Sequence, residues 1–181
     1  SRILDKLNVQ SQKYFLVTMH RAENVDDEDR LKGILVGLGQ ISGKYDHPVI
    51  CSLHPRTKSK TEQFNLKTDS KNIRFSVPFG FFDFVALEKK ILCVITDSGT
   101  VQEECCILKV PNITIRDVTE RPETIECGSN MLTGLLPDSM LRAVEIALSE
   151  KPEWGPPVEY LDKNVSSKVV KIILGHLRNM G

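Results

Sequence analysis

Apolar residues along this chain fall into two alternating patterns. Short runs at 14–19, 49–53, 73–77, 91–95 and 112–115 are rich in apolar and β-branched residues and read as strands, and 91–95 is apolar at successive positions, the pattern of a strand buried on both faces of a parallel sheet. Between them the apolar positions take a helical spacing. Leu31, Ile34, Leu35, Leu38 and Ile41 share one face, with Asp26 or Asp27 as the cap and Gly43 as the stop. Weaker helices are expected at 58–64, after which 69–72 reads as a surface turn, and at 83–89, behind the aromatic stretch FGFFDF. Further helices are predicted at 100–108, from Pro122 at a first helical position, and at 137–149, with a short strand at 131–133 between the last two. A connector with three prolines at 151–157 redirects the chain into a helix at 165–177, whose face of Val165, Val169, Ile172, Ile173 and Leu177 must pack against something. Alternation at this short spacing predicts one α/β domain, an open, doubly wound parallel sheet.

Chemistry collects where the predicted strands end. The stretch ILCVITDSGTVQEE at 91–104 is an apolar run that stops at Asp97-Ser98-Gly99 and re-emerges as the first turn of a helix. Free backbone N–H groups and the positive end of a helix dipole point out of such a turn, so a phosphate can dock there. A carboxylate as close as Glu103 or Glu104 would repel that phosphate. A pair of ribose hydroxyls is its more sensible partner, since each donates a hydrogen bond. The other strand ends carry His20-Arg21, His54-Pro55-Arg56 and the charged stretch 116–123. In an open α/β sheet, ligands bind beyond the carboxyl ends of the strands, where His20, Arg21, His54, Phe84, Ser98, Glu104 and Arg121 are expected to converge.

Composition narrows the partners. Lys+Arg and Asp+Glu balance at 24 each, so no global field draws the chain to nucleic acid or an anionic membrane. No apolar stretch approaches the roughly 20 residues of a membrane span. Five cysteines, including the adjacent Cys105 and Cys106, make no disulfide framework, and a reduced cytoplasmic setting is expected. Cys51, Cys93, Cys105 and Cys106 read as small core residues. The start, Ser1-Arg2-Ile3-Leu4-Asp5, is no signal peptide, and its abruptness is expected of a fragment.

HRAEN at 20–24, the spacing from Phe84 to Ser98, TDSGTVQEE at 96–104 and RDVTERPE at 116–123 together resemble the non-hydrolysing UDP-N-acetylglucosamine 2-epimerases. The resemblance runs from residue 14 to about 178. It implies a Rossmann-like domain, the carboxyl-terminal half of a GT-B type fold whose amino-terminal half is missing. It implies reversible inversion at C2 of a UDP-linked 2-acetamido sugar, by elimination of UDP and re-addition, with the proton-handling carboxylates in the other half. Phe84 then matches the uracil position, Glu104 the ribose position, and Ser98 and Gly99 the diphosphate turn. His20, also the candidate catalytic group, and Arg121 match the groups at the phosphates. His54 resembles a histidine of a second UDP-sugar site. No metal or redox cofactor is implied, and the parent family forms homodimers.

The chain departs from the family pattern at Ala22, where a second Arg is common, at Thr100, where a second Gly is common, and in the HPRT flank of His54. With ECGSNMLTG at 126–134 these changes resemble the branch acting on UDP-linked deoxy-sugars in capsule and O-antigen synthesis. Two other readings fit the same residues: a GT-B glycosyltransferase fragment, and a non-catalytic UDP-sugar-binding or assembly domain.

Overall fold

The computed structural model of the chain describes residues 1–68 and 70–177, without the side chains of 176 and 177. Six strands, β1 (Phe15–Met19), β2 (Val49–Leu53), β3 (Ile73–Ser76), β4 (Cys93–Thr96), β5 (Asn112–Thr114) and β6 (Asn130–Leu132), form one parallel sheet in the order β3-β2-β1-β4-β5-β6. The chain builds outward from β1 to one edge, then crosses back and builds outward from β4 to the other. This reversal opens a crevice between the carboxyl ends of β1 and β4, the position at which sheets of this topology bind ligands.

Alternate residues of the strands feed two cores. Phe15, Val17, Cys51, Ile95 and Ile113 face α3 (Glu28–Tyr45) and α8 (Pro137–Ser149), which supply Leu31, Ile34, Leu38, Met140 and Val144. Tyr14, Leu16, Ile50 and Val94 face the other way. They meet Ile3 of α1 (Ile3–Leu7), Leu87 of α5 (Phe81–Glu88) and Val101 and Cys105 of α6 (Gly99–Leu108). The result is a three-layer Rossmann-like α/β/α sandwich, as the alternation of elements predicts. Tyr14 is fully buried, and its phenol donates a 2.6 Å hydrogen bond to the carbonyl of Leu87 near the end of α5. Tyr14→Phe is expected to cost about 0.5–1.5 kcal/mol, the net value of one hydrogen bond, because the Leu87 carbonyl keeps the Lys90 N–H at 3.1 Å; urea denaturation with an unchanged m-value reads this directly.

Several boundaries move from those the pattern predicts. Gly43 does not stop α3, which continues to Tyr45 and ends at Asp46 in the left-handed conformation, φ 50°. The reason is packing: the Tyr45 ring meets Phe15 edge-on at 5.4 Å, and Asp tolerates left-handed backbone better than most residues. Asp27, one of the two candidates, is the cap, accepting from the Arg30 N–H. The next helix, α4 (Pro55–Gln63), begins three residues before the predicted start, because His54 caps it and Pro55 occupies its first position. Likewise α5 begins at Phe81 rather than 83, leaving Phe81 and Phe82 exposed. The central strand begins at Cys93 rather than Ile91. Within the predicted 69–72 turn, Asp69 lies outside the described residues.

The carboxyl-terminal region holds α7 (Pro122–Glu126), a short 3-10 turn (Val158–Leu161) and α9 (Val165–Leu177). The expected helix at 165–177 is present, but Val165, Val169, Ile172 and Ile173 of its apolar face are exposed. The expectation that this face packs is therefore not met within the described residues, and the Leu177 side chain lies outside them. Among the described residues no helix is long and apolar enough to cross a membrane. Cys51, Cys93, Cys105 and Cys106 are buried, and burial pushes the Cys51 and Cys93 thiols up to about 12.

Candidate functional site

The crevice between β1 and β4 is organised by one carboxylate. Asp97, the first residue after β4, is fully buried. It accepts from the backbone N–H groups of His20 (2.9 Å) and Arg21 (2.9 Å), and from the side-chain amide of Asn24 (3.2 Å) in α2 (Ala22–Val25). Its Oδ1 also lies 3.2 Å from His20 Nδ1. Asn24 donates in addition to the carbonyl of Ile115, just past β5, at 2.9 Å. The ends of β1, β4 and β5 are thus joined through Asp97 and Asn24. A donor bond from Nδ1 to Asp97 fixes the imidazole plane and leaves Nε2 as the nitrogen available to a ligand.

His20, His54 and Ser98 come together as predicted. They line a single cavity of about 190 Å³ at the strand ends, with Ser52, Pro78 and Val101. The two imidazoles lie 5.6 Å apart between ring centres. His54 has a second task, since its Nδ1 accepts from the Arg56 N–H as the cap of α4. Ser98 is the N-cap residue of α6 by backbone geometry, and its hydroxyl makes no capping bond. That hydroxyl and the N–H groups of the first turn are therefore arranged toward whatever occupies the crevice.

Arg121 completes the mouth of this helix. Its guanidinium sits over Gly99, where an added Cβ would lie 3.5 Å from Arg121 Cζ. It is ion-paired with Glu103, and its Nη1 donates to the Glu120 carbonyl at 3.0 Å. The sequence suggests Glu120 and Glu123 as the groups orienting Arg121. The structure gives that role to Glu103 and to the Glu120 main chain, because the Glu120 carboxylate is taken by Arg116. Arg116 is almost fully buried and grips Glu120 with two bonds of 2.6 and 2.9 Å while also donating to Glu23 at 2.8 Å. Chiefly through the hydrogen bond from Arg116, the Glu120 carboxyl is held down to about 2. The loops after β1 and β5 are thereby tied together, with Glu103 balanced by Arg121 at the place where an unpaired carboxylate would repel phosphate.

Glu104 and Phe84 stand apart from the cavity. Glu104 lies in the second turn of α6, half-buried, and its carboxyl is raised by burial and by the Glu103 charge while Glu88 of α5 lowers it through a hydrogen bond. Phe84, on the neighbouring α5, packs partly against the α1, α5 and α6 core. The two occupy adjacent helices on the same face of the sheet, beyond the turn at Ser98 and Gly99. Asp97 reads in the sequence only as a turn residue and Glu103 only as an alternative to Glu104, while Asn24, Arg116 and Gln102 carry no individual signal. Gln102 is buried and accepts from Thr119 (2.7 Å) and Asn130 (3.2 Å), linking α6 to the loop before Arg121 and to β6. Their location within HRAEN, TDSGTVQEE and RDVTERPE is the one hint that the sequence offers.

Comparison with known proteins agrees with this architecture. The family profile for UDP-N-acetylglucosamine 2-epimerase matches residues 1–174. A UDP-N-acetylglucosamine 2-epimerase of Methanocaldococcus jannaschii is 50% identical over 147 residues, covering 80% of this chain and 40% of that protein. A UDP-2,3-diacetamido-2,3-dideoxy-D-glucuronate 2-epimerase of Pseudomonas aeruginosa is 36% identical over 137 residues, covering 76% and 38%. The crystal structure of the M. jannaschii UDP-GlcNAc 2-epimerase in complex with UDP-GlcNAc and UDP superposes with a TM-score of 0.87 at 44% identity, over 96% of this chain and 48% of that one. The chain spans less than half the length of each of these relatives. With a profile match across nearly all of its residues, the chain belongs to the UDP-N-acetylglucosamine 2-epimerase family.

Proposed function

We propose that this chain is the carboxyl-terminal, UDP-binding half of a UDP-sugar 2-epimerase. The observation that carries the reading is the convergence of His20, Ser98 and Arg121 on the amino terminus of α6 at the reversal point of the sheet. The first-turn N–H groups and Ser98 hold the diphosphate, and Arg121 supplies the compensating cation. Such donors act most strongly when charge develops on the diphosphate as it leaves C1, which is the demand of an elimination mechanism. His20, held by Asp97, presents Nε2 to the phosphate and is positioned to assist the departing and returning oxygen. Glu104 takes the ribose hydroxyls and Phe84 the uracil. The carboxylates that handle the C2 proton belong to the amino-terminal domain, and the exposed apolar face of α9 packs toward that domain. The assembled enzyme is a homodimer acting on a UDP-linked 2-acetamido sugar. The 50% identity to a UDP-N-acetylglucosamine enzyme, against 36% to a diacetamido-uronate one, favours N-acetylglucosamine over a further-modified sugar.

Calorimetric titration of the chain with UDP tests this reading, with ADP as the control. Saturable UDP binding is expected, weakened by about tenfold in each of Ser98→Ala and Glu104→Ala through loss of a hydrogen bond to a charged group, with little response to ADP. Equal affinity for UDP and ADP, or no binding by a folded chain, would remove the reading.

A further inference from the structure

Two of the five cysteines meet, and the proposed mechanism uses neither. Cys106, in the last turn of α6, and Cys127, which ends α7, bring their sulfurs to 3.7 Å from each other, 21 positions apart in the chain. The other three lie elsewhere. Cys51 and Cys93 face the core under α3 and α8, and Cys105 turns into the opposite core, where its thiol points at the Glu88 carboxyl 4.0 Å away. The meeting of Cys106 and Cys127 is a bonded one. The Cys127 thiol donates to the Thr124 carbonyl at 3.5 Å, which leaves its sulfur to accept from Cys106. The indole of Trp154 donates to the Cys106 carbonyl at 3.0 Å and holds that end of α6.

The two sulfurs differ in access. Cys106 is buried, whereas Cys127 is partly exposed and lines a cavity of about 530 Å³ together with the exposed Glu150, Lys151 and Glu153. Asn112 and Asn130, the first residues of β5 and β6, place this cavity at the opposite end of the strands from the crevice of His20 and Ser98. A small oxidant arriving from water therefore meets Cys127 first. An accessible thiol beside a sheltered one is the arrangement of a cysteine that oxidises and a cysteine that resolves it.

We propose that Cys106 and Cys127 are an oxidisable dithiol, in which a peroxide oxidises Cys127 and Cys106 resolves the product to a disulfide joining α6 to α7. The Cys127 thiolate attacks one peroxide oxygen. An S–O bond forms, the O–O bond breaks, and the leaving hydroxide takes up the Cys127 proton as water. The Cys106 sulfur then attacks the sulfenic sulfur: the S–S bond forms, the S–O bond breaks, and the hydroxyl departs with the Cys106 proton as a second water. The two thiols lose two electrons, and hydrogen peroxide gains them. Bonding requires the sulfurs to close from 3.7 Å to about 2.0 Å, a movement shared by two side chains. The loop closed in this way, 107–126, carries β5, Arg116 and Arg121, so the bridge restrains the segment that holds the cation over Gly99.

The test treats the folded chain with hydrogen peroxide, in wild type, Cys106→Ser and Cys127→Ser, with dimedone as the trap for sulfenic acid. Intact mass, disulfide-linked peptides, free thiols after denaturation and thermal unfolding are read for each. The wild type is expected to lose two hydrogens, to yield linked peptides containing Cys106 and Cys127, and to keep all but two of its thiols. It is expected to unfold about 5–10 °C higher until dithiothreitol reverses the change, because a bridge across a loop of this length restricts the unfolded chain. Cys106→Ser is expected to stop at a dimedone-labelled Cys127, and Cys127→Ser to show neither bridge nor shift. A wild type that keeps all five thiols, bridges through Cys105 or between chains, or unfolds at a lower temperature once oxidised would overturn the inference. So would dimedone labelling of Cys106 in Cys127→Ser as readily as of Cys127 in Cys106→Ser, which removes the assigned order of oxidation.

Discussion

Asp97→Ala is expected to remove about 3–5 kcal/mol of stability, the cost of breaking a buried charged network by deleting one partner. The substitution leaves the N–H groups of His20 and Arg21 and one N–H of Asn24 facing an apolar void where Asp97 stood. Asp97 itself is fully buried, so the loss exceeds that of an exposed cap. Asp97→Asn keeps the shape but turns one acceptor into a donor against donors, and about 2–3 kcal/mol is expected to go. The site fails with the fold in these variants, since His20 loses the partner of its Nδ1. Urea denaturation followed by circular dichroism measures both losses. A transition midpoint like that of the wild type in Asp97→Ala would show that the strand ends are held by something other than this carboxylate.

The second large effect concerns the cation over Gly99. Arg121→Ala is expected to weaken UDP binding by about 2–3 kcal/mol, roughly 30- to 150-fold, the value of a charge-assisted bond to a diphosphate. In the ligand-free chain the guanidinium is engaged by Glu103, so binding must exchange one anionic partner for another. Glu103→Gln removes the competitor while leaving Arg121 over Gly99. UDP is then expected to bind roughly two- to fivefold more tightly, the range of a half-exposed ion pair. Opposite signs from neighbouring side chains make this pair informative. Calorimetry at two salt concentrations checks it, because a diphosphate contact through Arg121 also predicts a reduced salt dependence in Arg121→Ala.

Apart from these effects, the two flanks of α6 divide the labour by charge. On one flank Arg121 pairs with Glu103 and sits over Gly99 at the start of the helix. On the other, burial raises the carboxyls of Glu88 and Glu104. The adjacent glutamates Glu103 and Glu104 look equivalent in the sequence, and their neighbours separate them: Glu103 balances the Arg121 cation, whereas burial and the Glu103 charge raise the Glu104 carboxyl.

The sequence by itself determined the elements and the motif positions. Short runs rich in apolar and β-branched residues place the first five strands, continuous in β4, which is buried on both faces, and broken by Arg74 and Ser76 in the edge strand β3, and the 3.6-residue period places α3 and α9. Turn chemistry located the strand ends where His20, His54, Ser98 and Arg121 lie, since Gly, Ser, Asp and Pro report local backbone need. Helix starts at Pro55 and Phe81 were missed because caps by His54 and Gly80 carry weak local signals, and Gly43 misled because a tertiary contact of Tyr45 outweighs a stop signal. Only the tertiary structure decided the sheet order, and with it which strand ends share a crevice. It also chose the partners: Asp97 for residues 73 to 77 positions away, Arg116 for Glu23 and Glu120, Glu103 for Arg121. Local pattern records what each residue requires of its neighbours in the chain. Which distant group satisfies a buried charge depends on how the helices and strands close over the core, and that is set by packing of the whole sheet.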